Sequence, residues 1–148
     1  MDGFAEWVTA GASFGTFLIA LAALWLAHKQ IRRTREIAAY DAYEAFHHFA
    51  LQYPEFGTGV FDFATASELD RRRYEYFVMS VLLTIERVLQ LFPNEASWKA
   101  AVTDDVETHL AFIVSPHFTP LRANLDGKVI TLIDEIVCSH EGRRAARE

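Results

Sequence analysis

The sequence predicts an all-α protein with one N-terminal transmembrane helix continuing into a cytoplasmic antiparallel helical bundle. Three observations carry that expectation. An uncharged apolar run, Trp7 to Ala27, has acidic residues before it and basic residues after it. No glycine or proline interrupts the chain between Gly15 and Pro54. Beyond Pro54, three further amphipathic segments follow one another with short connections.

The first element rests on length and polarity. A helix needs about 20 residues to cross the hydrocarbon layer, and Trp7 to Ala27 supplies about 21. A core helix of that length would carry a polar stripe. A signal peptide would begin basic and have a shorter apolar centre, whereas here Asp2 and Glu6 precede the run. Lys29, Arg32, Arg33 and Arg35 follow it, which predicts a cytoplasmic side after the span and a short N-terminus outside. The same cluster suits anionic lipid headgroups. Trp7 and Trp25 fall near the two ends, where indoles favour the interface. The expected divisions are an extracytoplasmic 1–6, a bacterial inner-membrane span 7–28, a bundle 29–141 and a basic flexible tail 142–148. Gly11 and Gly15 form G-x-x-x-G, a spacing that lets two helices approach closely; small residues are also simply common in such spans.

Without a break signal, the anchor helix should run on into the cytoplasm as a rod of roughly 55–60 Å. Past the basic cluster, Ala39, Tyr43, Phe46, Ala50 and Tyr53 form one apolar face, opposed by Asp41, Glu44 and His48. "YPEFGTG" ends the helix, because Pro54 disfavours helical geometry before it and the glycines permit a turn. A second helix opens at Ser67 with S-x-x-D and closes before Pro93. Tyr74, Phe77, Val78, Val81, Leu82, Ile85, Val88, Leu89 and Phe92 cover a wide apolar arc, as a central helix requires. The third segment starts after Asn94, carries Trp98, Ala101, Val102, Val106, Phe112 and Ile113, and stops at "VSPHFTP". The last starts at Thr119-Pro120, with Leu121, Leu125, Val129, Leu132 and Ile136 as its seam and Gly127 a weak point.

Composition narrows the chemistry. A formal charge of −6 over 148 residues disfavours nucleic acid, whose phosphates need a dense basic surface. The single cysteine, Cys138, makes no internal disulfide and no cysteine-rich zinc site. Glu44-x-x-His47 has di-iron spacing, but such sites need a second copy and inward carboxylates, so a solvated pair is the simpler reading. Glu86, Asp105 and His109 are more informative, because each falls at or beside an apolar helical face. Buried polar groups must be paired, so the favoured reading is a structural cluster that fixes helix register. Its functional counterpart is a pH-responsive or ligand-binding pocket built on His109. No nucleophile elbow, phosphate loop or H-E-x-x-H is present, and no cofactor is expected.

The order anchor, basic helix, "YPEF" turn, "LLTIERVL" and "ASWKAAV" is similar to that of a diffuse group of uncharacterised bacterial single-span membrane proteins with a cytoplasmic helical domain. That resemblance covers most of the chain and implies a fold and a location, with no activity and no site residues. The function expected is a non-enzymatic accessory or scaffolding subunit that oligomerises or binds a larger membrane complex. The alternative is a homo-oligomeric effector or pore gated by a cytosolic signal, with Thr9, Ser13 and Thr16 around its axis; an enzyme using the polar cluster ranks third.

Overall fold

The computed structural model describes residues 2–93 and 95–146, without the side chains of 2–6, 8–10 and 12. Asn94 and the side chains of Asp2, Glu6, Thr9 and Ala12 thus lie outside the described residues. All regular structure among the described residues is helix. The elements are α1 (Asp2–Ala50), α2 (Glu68–Leu91), α3 (Ala96–Thr108), α4 (Leu110–Ile113), α5 (Thr119–Arg122) and α6 (Gly127–Ala145). The chain divides into two compact units, Met1–Ala38 and Ala39–Glu148.

The first unit is helical throughout its described length. The segment Ser13–Ala50 of α1 contains a stretch apolar enough to cross a membrane, with mean hydropathy 1.4 and none of that stretch buried. It is the one such helix among the described residues, judged by length and composition. Trp7, Phe14, Phe17, Ile19, Leu24 and Trp25 are all exposed. Lys29 holds its ammonium 5.2 Å from the Trp25 ring centroid, and Arg32 pairs with Glu36 at 3.2 Å.

The second unit is a helical domain built around α2, which packs against α3 and α6 while those two pack on each other. Ser67 caps α2 as its motif predicts: its hydroxyl oxygen accepts from the Asp70 amide, and its proton goes to the Asp70 carboxylate at 2.7 Å. All nine residues of the predicted α2 arc are buried. From the C-terminal part of α1, Ala39 is fully buried and Tyr43, Phe46 and Ala50 pack on the core, whereas Asp41, Glu44 and His48 are exposed. Phe49 joins them unannounced, stacking on Phe77 at 5.7 Å.

Two expectations need correction. The third segment is not one helix but two, because α3 stops at Thr108 and α4 restarts at Leu110. The last is also two: Thr119-Pro120 opens only the single turn α5, and α6 begins afresh at Gly127 with Asp126 as its cap. The Asp126 carboxylate accepts from the Lys128 amide at 2.8 Å, so Gly127 lies in a first turn where its low helix propensity matters little. α6 runs on through Ala145, and residues 147 and 148 lie outside the description. Smaller departures are Ala101, which is exposed, and Phe118, which the "VSPHFTP" turn buries.

Candidate functional site

Among the described residues, a single polar or charged residue is buried in the core of the domain. The loop after α1 folds back so that Phe56 and Phe61 cover Tyr74 of α2, the latter pair stacked at 4.4 Å. Phe63 continues the aromatic layer onto Phe112 of α4 at 5.3 Å and onto His117 at 4.8 Å. Within this layer lies His109, the residue that joins α3 to α4 and is only 4 % exposed.

Gly59 packs against the chain where the helix breaks. Its φ of +69° suits glycine, and a Cβ on it would meet the Thr108 carbonyl oxygen at 1.8 Å. The loop backbone therefore lies directly against the last residue of α3. The chain turns at His109, whose amide bonds the Val106 carbonyl while its own carbonyl accepts from Phe112 and Ile113.

The interior partner of His109 is Tyr74, with the phenol oxygen 3.0 Å from Nδ1 and 3.5 Å from the Gly59 carbonyl. The phenol has one proton to give. Either it goes to Nδ1, or it goes to Gly59 and Nδ1–H donates to the phenol oxygen; the ring is neutral in both. Burial pushes the imidazole down to about 4 and the phenol up to about 12, because each loses hydration in its charged form.

Asp105 and Glu86, expected beside His109, take other partners. The Asp105 carboxylate accepts a 2.6 Å hydrogen bond from Tyr43 of α1. Burial raises the Asp105 carboxyl above its usual range, and the Tyr43 bond opposes that shift. Trp98 closes this second site, 5.5 Å from Tyr43 and stacked on Phe92 at 6.0 Å. Glu86 points to the start of α6, accepting from the Asp126 amide at 3.3 Å and from Gln90 at 3.2 Å. A carboxylate there also meets the positive end of the helix dipole. The three residues thus hold three separate joints: α2 to the α3–α4 break, α1 to α3, and α2 to α6. In the sequence, Tyr43 and Tyr74 mark only apolar helical faces. Their hydroxyls gave no positional signal, although a buried tyrosine always needs a polar neighbour.

Glu44 and His47 are both exposed; Glu44 faces His48 at 3.7 Å and the His47 Nδ1 lies 2.8 Å from the Tyr43 carbonyl. Among the described residues no group of three or more histidine, cysteine, aspartate or glutamate side chains is gathered to hold a metal. Hollows of about 290 Å³ beside Leu89 and Lys128, and about 410 Å³ beside Leu110 and Val137, include neither tyrosine pair.

The chain matches no protein-family model, no curated protein and no solved structure.

The Tyr43–Asp105 joint carries a direct expectation. Tyr43→Phe should destabilise the domain by about 1–3 kcal/mol, because the half-buried carboxylate loses its donor. Tyr43→Phe combined with Asp105→Leu should cost less than the sum of the single changes in thermal melts. Additive effects would show that the two side chains do not depend on each other.

Proposed function

We propose that the chain is a non-enzymatic membrane-anchored subunit. In this reading α1 crosses a bacterial inner membrane with its N-terminus outside. The helical domain is an antiparallel bundle on the cytoplasmic side, serving as an accessory or scaffold that oligomerises or binds a larger membrane complex. The observation that carries this reading is the uncovered apolar surface of α1. Phe14, Phe17, Ile19, Leu24 and Trp25 are each at least 59 % exposed. Apolar area left in water costs about 25 cal/mol per Å², and a lipid environment removes that cost. Lys29, Arg32, Arg33 and Arg35 support the orientation, since basic residues beside a span stay cytoplasmic and meet anionic headgroups. The polar residues of the domain support a scaffold: His109, Asp105 and Glu86 each bond to a neighbouring helix.

A reporter fused after Glu148 tests the topology. It should be found with the membrane fraction and read as cytoplasmic. A periplasmic reading would reverse the orientation, and a soluble protein would remove the anchor. Mass measurement after detergent extraction then tests the role. A stoichiometric foreign protein or a self-assembled scaffold supports it, whereas an assembly that conducts ions would favour the gated effector.

A further inference from the structure

The membrane-proximal part of α1 carries a second periodicity. Phe17, Leu24, Ile31 and Ala38 recur every seven residues, with Ala20, Ala27 and Thr34 three positions after the first three. These are the a and d places of one heptad frame, which is set apart beyond the uniformly apolar run to Ala27 by Ile31, Thr34 and Ala38 against Lys29, Arg32 and Arg33. A period of 3.5 keeps one seam turned to one partner. The domain core uses other places of the same register: Ala39, Tyr43, Phe46, Phe49 and Ala50 fall at b, f, b, e and f. The large seam residues are uncovered, with Phe17 59 %, Leu24 69 % and Ile31 53 % exposed.

The shape of the helix surface agrees with that register. A hollow of about 360 Å³ is lined by Ala27, Gln30, Ile31, Thr34 and Arg35. The first four stand at d, g, a and d. Four residues in that arrangement form the hole that receives an a-position knob in a parallel two-stranded coil. Charge is kept away from it. Lys29 lies over Trp25 and Arg32 is paired with Glu36, so of the four basic side chains only Arg35 reaches the hollow. Arg35 occupies position e, where a parallel partner would offer the neutral amide of Gln30 from position g.

We propose that a second copy of this chain occupies this face in parallel, with Ile31 of each copy seated in the Ala27–Gln30–Ile31–Thr34 hollow of the other. The proposal rests on the anchored reading above, which makes two copies insert with the same orientation. A hole whose own central residue is the matching knob is self-complementary, as a two-fold interface requires. Gly11 and Gly15 fall at b and f, so this interface differs from a G-x-x-x-G contact.

Cysteine scanning decides it. In the full-length chain carrying Cys138→Ser, a single cysteine replaces each residue from Ala27 to Arg35 in turn, and native membranes are oxidised with copper phenanthroline. Disulfide formation needs close, well-aimed Cβ atoms, so dimer-sized products should peak at Ala27, Ile31 and Thr34, roughly five-fold above Lys29 and Arg33. Ile31→Lys should convert the extracted dimer to monomer. A uniform pattern, or a maximum at Lys29 and Arg33, would overturn the seam. So would a chain that stays membrane-bound without cross-linking, and that result would leave the anchor intact. Recovery of the chain from the soluble fraction would overturn the anchor and the seam together.

Discussion

Gly59→Ala is expected to be the most damaging single-methyl change in the domain. The residue has a φ of +69°, and a left-handed conformation costs an alanine about 1–2 kcal/mol. The added Cβ would also stand 1.8 Å from the Thr108 carbonyl oxygen and 2.7 Å from its carbon, so backbone must move against backbone. Overpacking of that kind adds about 1–3 kcal/mol. The total, about 2–5 kcal/mol, is a large share of the ~5–15 kcal/mol that holds a typical domain together. Gly57→Ala is the matched control. Its Cβ would meet the Pro54 carbonyl at 3.6 Å, an ordinary contact, and its effect should stay within about 1 kcal/mol. Denaturant melts of the detergent-solubilised full chain compare the two. Equal midpoints would mean that the loop does not press on the end of α3.

The second large effect is a loss of stability in acid that depends on His109. The folded protein holds the ring neutral, with its pKa pushed down to about 4 by burial. An unfolded chain protonates it near pH 6.5. Between those values the unfolded state binds the extra proton. The contribution is therefore full above about pH 6.5 and is lost as pH falls toward 4. Its size is on the order of 3 kcal/mol. Asp105 works in the opposite sense: burial raises its carboxyl, so its ionisation costs stability as pH rises past the usual range near 3.8. Melts from pH 7.5 to 4 on the wild type, His109→Gln and Asp105→Asn separate the two groups. His109→Gln should flatten the loss above pH 4, and Asp105→Asn should leave the histidine-dependent loss in place. Parallel curves for the wild type and His109→Gln would show that the imidazole meets water. Tyr74→Phe should cost about 1–3 kcal/mol at neutral pH, because the buried Nδ1 loses its hydroxyl partner.

Both effects arise where the sequence was least explicit. The helix ends that depend on local chemistry were readable: Ser67 with Asp70 opens α2, and Pro93 follows its close. Apolar periodicity found every buried residue of the α2 arc and the core face of α1, because burial on a helix follows the 3.6-residue repeat. The break at His109 has no glycine or proline beside it. Gly59, roughly fifty residues away in the chain, packs against it, and distant packing leaves no mark on the local pattern. The start of α6 was different. Asp126 followed by Gly127 is a readable cap, and Thr119-Pro120 offers a competing start signal. For the polar residues, periodicity sets His109 on an inward face but does not say which helix answers it. Asp105 and His109 are four apart on a predicted helix, and that neighbourhood suggested a mutual pair. The turn between them and the reach of Tyr43 and Tyr74 sent them to different partners.

The packing around Trp98 has an optical consequence. Of the three tryptophans, Trp7 and Trp25 lie on the uncovered part of α1, and Trp98 alone belongs to the domain. Tyr40 and Tyr43 approach its ring at 5.1 and 5.5 Å, and Phe92 stacks on it at 6.0 Å. One indole thus touches the end of α1, the end of α2 and the start of α3. With phenylalanine at positions 7 and 25, ultraviolet emission would come from this junction alone. Separation of the C-terminal part of α1 from α3 would expose the ring and shift its emission to the red, so the domain carries its own dye where these helices meet.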